Sequence, residues 1–256
     1  MSGEETTFER FFGSLGEVFL LFARAVREIF RRPFETDLTV VQLEQGGVDS
    51  WSITMLTAAF TGMVMASQFA IGLEPFGASM YTGKLVGLGI VRELGPVLTS
   101  LLVGGRVGAG FTAEIGSMAV TEQIDAIRAL GADPIRKLVT PRVVAMTISI
   151  PLLTIMADLI GCAGGVLITV AEVGVTFTFA TEQMIQTIWV QDLMHGLIKS
   201  CFFGSIIATI ACWNGMRTQG GTEGVGRATT ETVVFTSVTI LVSDFLLTRA
   251  LLAIYA

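Results

Sequence analysis

The sequence predicts an all-α integral membrane protein: an N-terminal amphipathic interfacial helix, five transmembrane helices and one short helix in a cytoplasmic loop. Three observations carry this expectation. Of 256 residues, 52% are hydrophobic and 15% charged, against about 25% charged in an ordinary soluble domain. Mean hydropathy is +0.70. The apolar residues also fall in long runs, and about 20 of them in a row suffice to cross a bilayer.

The first element follows from spacing. Phe8, Phe11, Leu15, Phe19, Phe22, Val26 and Ile29 recur at steps of three and four, so they share one helix face. Arg10, Glu17, Arg24, Arg27 and Glu28 fall mainly elsewhere. Such a helix spans poorly and is expected in the interface plane. A cytosolic helix packed on its own chain is the alternative. Arg31, Arg32 and Pro33 are expected to end it. The acids Glu4 and Glu5, and the charges within the apolar stretch, exclude a secretory leader. Residues 1–50 therefore form an N-terminal region and 51–256 the membrane domain.

Trp51 to Leu73 carries no charge and is the first expected span. Leu85 to Gly110 is the second, interrupted by Arg92, Glu93, Pro96 and Arg106. Phe111 to Lys137 is polar with one short helix. Val143 to Ala171 is the third span, charged only at Asp158. Glu172 to Gln186 reads as a loop, Ile188 to Met216 as the fourth span, Arg217 to Glu231 as a Gly/Thr-rich loop, and Thr232 to Ile254 as the fifth span. Basic residues precede the first span and fill the second–third and fourth–fifth connections, whereas the alternate loops hold only Lys84. This asymmetry places the N-terminus in the cytoplasm and the C-terminus outside. Gly104 and Gly108, and Gly161 and Gly165, are spaced for close helix approach.

Charge inside a span costs roughly 2.5–3.5 kcal/mol at its centre on insertion scales. Arg92 and Glu93 are adjacent and project about 100° apart, beside a proline that removes a helical hydrogen bond. Asp192, His195 and Lys199 share one face of the fourth span, and Asp244 lies in the fifth. These groups line a polar chamber or form structural ion pairs, such as Lys199 with Glu93 or Asp244. Asp158, alone in its span, reads as a helix-to-helix hydrogen bond.

The short loop helix has Thr121 as its expected N-cap, Glu122 in its first turn, and an apolar stripe of Val120, Ile124, Ile127 and Leu130. Gly131 and Pro134 stop it. Such a helix suits a groove in a soluble partner. No P-loop, G-x-S-x-G or HExxH is present. The single histidine and the spacing of Cys162, Cys201 and Cys212 exclude His-based metal or catalytic clusters. No basic cluster with interleaved aromatics points to nucleic acid.

Longer ordered runs carry a resemblance. Arg92-Glu93-Leu94-Gly95-Pro96-Val97-Leu98, Gly105-Arg106-Val107-Gly108-Ala109, Thr112-Ala113-Glu114-Ile115-Gly116-Ser117-Met118 and Thr121-Glu122-Gln123-Ile124-Asp125-Ala126 resemble the MlaE (YrbE) permease family. So do Gly226-Arg227-Ala228-Thr229-Thr230 and Asp244-Phe245-Leu246-Leu247-Thr248. The resemblance covers about residues 50–250.

It implies a homodimeric permease subunit of an ABC-type phospholipid transporter in the inner membrane of diderm bacteria, serving outer-membrane lipid asymmetry. The subunit itself is no enzyme and binds no cofactor. ATP and Mg belong to a cytoplasmic partner ATPase, with a periplasmic MCE-domain protein and often a STAS-domain protein as further partners. The segment about 112–137 matches a coupling helix, with Glu114, Thr121, Glu122, Gln123, Asp125 and Arg128 at the ATPase. Gln68, Phe76, Arg92, Glu93, Leu94, Lys199 and Asp244 match positions at or near the lipid cavity. An ion-coupled secondary transporter using Glu93, Lys199 and Asp244 as a relay, and a non-transporting scaffold, are the rival readings.

Overall fold

The structure is a computed structural model and describes residues 7–29 and 35–255. It is all-helical among these residues, and five helical stretches are long and apolar enough to cross a membrane. Helix α1 is Thr7–Ile29 and α2 is Thr36–Gly46. The first span is α3, Trp51–Leu73. The second runs through α4 (Thr82–Gly89), α5 (Gly95–Val103) and α6 (Ala109–Val120), joined by π-helical turns at Ile90–Leu94 and Gly104–Gly108. Short α7 is Gln123–Ala129. The third span is α8, Thr140–Val173, followed by α9, Phe177–Thr187, outside the spans. The fourth and fifth spans are α10, Val190–Met216, and α11, Gly221–Tyr255.

Several boundaries differ from expectation. The second span does not end at Gly110. It continues to Val120 because Phe111, Thr112 and Ile115 are buried between α10 and α11. The expected Glu172–Gln186 loop contains α9, whose N-cap Thr176 accepts a hydrogen bond from the Phe179 N–H. The Gly/Thr-rich connection before the fifth span is helical from Gly221, since Ala228 and Thr232 pack inward. Helix α2 was not anticipated. In α1, Leu21 and Ala25 are buried on the bundle and Phe22 of the expected aromatic face packs beside them, while Phe19 is 69% exposed. The side chains of Phe8, Phe11 and Leu15, and the stop at Arg31, Arg32 and Pro33, lie outside the described residues.

The core is centred on α8 and α10, which carry most of the fully buried apolar side chains, among them Met146, Ile150, Phe203 and Ile207. The spaced glycines act within the chain. A Cβ on Gly62 would fall 1.9 Å from the Gly161 carbonyl oxygen, so α3 and α8 touch backbone to backbone there. Gly104 and Gly108 face Ile207 of α10. Hydroxyls within the spans are satisfied locally, since Thr54, Thr154, Thr169 and Thr209 each donate to the carbonyl four residues back. Thr112 donates to the Ala211 carbonyl at 3.1 Å and shares a hydrogen bond with Thr232 at 2.9 Å, which ties α6, α10 and α11 together.

α3 and α11 are the least covered spans. Helix α11 buries Ala228, Thr232, Thr236 and Ile240, a stripe at steps of four, and leaves Val234, Val238, Leu241 and Phe245 exposed.

Candidate functional site

The ionisable residues of three spans meet at one place. The π-helical turn at Ile90–Leu94 carries Arg92 and Glu93. It inserts one residue into the ladder, so the Gly95 N–H reaches back to the Ile90 carbonyl. Pro96 has no N–H and cannot bond the Arg92 carbonyl as a helix interior would require. Lys199 fills that gap, its Nζ donating to the Arg92 carbonyl oxygen at 3.3 Å.

Lys199 is 1% exposed. Its Nζ also lies 2.5 Å from Glu93 Oε2 and 3.0 Å from Asp244 Oδ1, the latter an ion pair without hydrogen-bond geometry. An ammonium has three hydrogens, and here it faces three acceptors drawn from the second and fifth spans. Thr248, one turn beyond Asp244, donates to the Asp244 carbonyl at 2.8 Å and lies 3.4 Å from both Glu93 carboxyl oxygens. The expected pairings of Lys199 with Glu93 and with Asp244 are therefore both present.

Arg92 turns the other way. Its Nε donates to Asp192 Oδ1 at 2.5 Å. The other Asp192 oxygen accepts the Trp189 N–H at 2.8 Å and so caps the start of α10. The polar face of Asp192, His195 and Lys199 is buried, at 3%, 5% and 1% exposure, and turns toward protein partners rather than toward open water. The openings lie at the other partners. The Glu93 side chain is 41% exposed, Arg92 34% and Asp244 20%. The cluster thus has a dry cationic root and a partly open acidic and guanidinium rim.

Leu94, next in the turn, lines a narrow crevice between α3 and α5 with Thr54, Thr57, Thr61 and Leu98. Thr57 and Thr61 also border a shallow hollow on the outer face of α3 that includes Phe60, Val64 and Gln68. Leu94 and Gln68 therefore line adjoining surfaces. Phe76 stands apart. It is 81% exposed, in the turn Glu74–Phe76 beyond α3, with Gly77 at φ 62° closing the turn.

The loop helix differs from expectation at its start. Thr121 is not its N-cap. Thr121 ends α6, donating its hydroxyl to the Ser117 carbonyl at 2.7 Å and accepting from Gln123 Nε2 at 3.0 Å. Glu122 occupies the cap position with φ 59°, so it precedes the first turn and α7 begins at Gln123 with seven residues. The stop is as expected. Gly131, at φ 78°, donates to the Arg128 carbonyl and Ala132 to the Ile127 carbonyl, a Schellman motif. Of the apolar stripe, Ile124 is buried and Ile127 packs against the core, while Leu130 is 86% exposed. Gln123, Asp125 and Arg128 are exposed, the last two paired at 2.7 Å.

Glu114 lies on α6 rather than on α7. It pairs with Arg142 of α8 at 2.7 Å. Arg142 is 3% exposed, donates to the Leu138 carbonyl at 2.8 Å and stacks over the Phe111 ring at 5.3 Å. Beside these residues a groove lined by Leu38, Met118, Ile127, Leu130 and Lys137 opens at the α7 end of the bundle. Sequence reasoning left Asp192 unassigned and did not single out Arg142 or Thr248. The acid at the third position of a helix start was the available signal for Asp192. No described residues form a cluster that would hold a metal ion.

Comparison with known proteins agrees with this architecture. A family model described as Permease MlaE matches residues 39–250. A probable ABC transporter permease protein of Rickettsia conorii is 40% identical over 243 residues, 94% of this chain and 93% of its own. The intermembrane phospholipid transport system permease protein MlaE of Haemophilus influenzae is 39% identical over 241 residues, 93% of this chain and 92% of its own. The chloroplastic protein TRIGALACTOSYLDIACYLGLYCEROL 1 of Arabidopsis thaliana is 38% identical over 228 residues, 89% of this chain and 65% of its own. With five apolar spans, a buried ion cluster across three of them and a family match over most of its length, the chain belongs to the MlaE permease family.

Proposed function

We propose that this chain is the membrane-spanning subunit of an ABC transporter that moves phospholipid between the inner membrane and periplasmic carriers, sustaining outer-membrane lipid asymmetry. The observation that carries the reading is the placement of Glu93, Arg92 and Asp244. Buried Lys199 holds Glu93 and Asp244, buried Asp192 holds Arg92, and all three remain partly open beside the narrow Leu94 crevice. Acyl tails take the hollow on the outer face of α3 that adjoins the crevice, and the polar rim takes the headgroup region. The bare faces of α3 and α11 suit a second copy, so the chamber lies between two protomers.

ATP is hydrolysed on a separate cytoplasmic ATPase, which grips α7 and the groove beside it. Exposed Leu130, Gln123 and Arg128 supply the grip. The Glu114–Arg142 pair passes the displacement from α6 to α8. A periplasmic MCE-domain protein, and in many systems a STAS-domain protein, complete the complex. The α7 end faces the cytoplasm and α9 the periplasm, following the basic residues.

The test is photocrosslinking in cells. A photoreactive residue at Leu94 or Gln68 is expected to capture phospholipid in excess over one at Leu159, an exposed apolar control on α8. Equal capture at all three positions would reduce these sites to ordinary lipid contact and remove the chamber.

A further inference from the structure

A second polar feature lies outside the ion cluster. Asp158 stands midway along α8, inside the third span, and is 5% exposed. Its Oδ1 has no hydrogen-bond partner, and no ion pair among the described residues includes it. The carboxyl packs against Gly95, where a Cβ would fall 1.7 Å from Oδ1. From Asp158 an apolar groove runs between α8, α9 and the start of α10, past Leu159, Cys162, Leu167, Phe177 and Ile188. Thr181 is the other hydrogen-bonding side chain of note in its wall.

Charged groups on α8 and on the elements around it are engaged elsewhere: Lys84 of α4 lies over the Tyr81 ring at 5.6 Å, Arg106 donates to Ser50 Oγ at 2.8 Å, Arg142 pairs with Glu114 at 2.7 Å, and Glu172 accepts from the Ser67 hydroxyl at 2.8 Å. Helix α3 has none between Trp51 and Leu73. On the second span, Arg92 is paired with Asp192 and Glu93 with Lys199. On α10, Lys199 is also committed to Asp244, and His195 is buried beside these pairs. On α9, Glu182 is exposed. An ionised carboxylate in apolar surroundings, without a cation or donor, carries a large desolvation cost. The neutral acid does not.

We propose that Asp158 is a proton-bearing carboxylic acid reached from the lipid phase through this groove, and the modification site of the chain for apolar carbodiimides. In that reaction the acid's proton passes to one carbodiimide nitrogen while a carboxyl oxygen bonds to the central carbon, giving an O-acylisourea. Transfer of the acyl group from oxygen to nitrogen leaves a stable N-acylurea that retains the whole reagent. Glu93, Asp192 and Asp244 are engaged by Lys199 and Arg92 and do not line this groove, so the apolar reagent does not meet them there. A groove open to lipid admits a neutral, apolar reagent and excludes a charged one.

The experiment uses the full chain in lipid nanodiscs, treated with dicyclohexylcarbodiimide or with a water-soluble cationic carbodiimide, then proteolysis and fragment-ion mass spectrometry. The expected result is a mass gain of one reagent on the Asp158 peptide with the apolar reagent alone, and none on peptides bearing Glu93, Asp192 or Asp244. Asp158→Asn should remove the gain. An unmodified Asp158 in monodisperse wild-type protein would overturn the proposal, as would equal modification by the cationic reagent. Because no partner subunit or transport assay is involved, the outcome is independent of the transport reading.

Discussion

Replacing Lys199 by methionine tests the ion cluster most severely, because the ammonium has three acceptors and is 1% exposed. The substitution keeps side-chain length but removes the charge. The Arg92 carbonyl, which has no i+4 donor because of Pro96, loses its hydrogen bond from Lys199, at about 1–3 kcal/mol. Glu93 and Asp244 lose the cation between them. Breaking a buried ion pair by deleting one partner costs about 3–5 kcal/mol. The partial exposure of Glu93, at 41%, lets water relieve some of this, so the lower half of that range is the working figure. At roughly 2–4 °C per kcal/mol for a chain of this size, the apparent Tm of the purified protein should fall by about 6–16 °C. Scanning fluorimetry in detergent reads it. Adding Glu93→Gln and Asp244→Asn to Lys199→Met removes the stranded charges and should recover a large part of the loss. A Lys199→Met protein as stable as wild type, or a triple variant less stable than the single one, would refute the reasoning.

Further expectations concern other parts of the chain. Gly95→Ala places a methyl against Asp158 Oδ1, an overpacking cost of about 1–3 kcal/mol. The double variant Gly95→Ala/Asp158→Ala should regain monodispersity on size exclusion, whereas no recovery would deny the contact. Arg142→Met should cost about 1–3 kcal/mol, less than Lys199→Met, because Glu114 is 48% exposed and falls back on water; the ranking of the two Tm shifts checks this. Leu130→Asp should leave stability within about 0.5 kcal/mol, as a substitution at an exposed site does, while abolishing co-purification of the partner ATPase. Retained co-purification would remove α7 from that contact.

Much of this was legible in the sequence for one physical reason: lipid penalises charge and unpaired backbone. Arg92, Glu93, Lys199 and Asp244 stand out because nothing but a partner or a chamber keeps them in apolar runs, and the structure joins Lys199 to Glu93 and Asp244 and pairs Arg92 with Asp192. The Gly131 stop was legible because left-handed backbone favours glycine. Pro96 reads in the sequence as the loss of one helical hydrogen bond, but its effect is shared between the π-helical turn before it and the amine of Lys199, a contact between spans that no local pattern records. Thr121 looked like a cap by residue type, yet its hydroxyl bonds backward to Ser117, because α6 is held helical to Val120 by its packing on α10 and α11. Helix α9 and the early start of α11 were hidden for the same reason. Their Thr- and Gly-rich composition is weakly helical alone, and burial of Ala180, Met184, Ala228 and Thr232 decides the outcome.

The central claim is that the partly open rim of the ion cluster handles lipid, moved by an ATPase outside the membrane. ATP-dependent transfer of labelled phospholipid from proteoliposomes containing the assembled complex measures this directly. Glu93→Ala is expected to abolish transfer while the complex remains assembled and still hydrolyses ATP. Transfer at the wild-type rate by that variant would contradict the account.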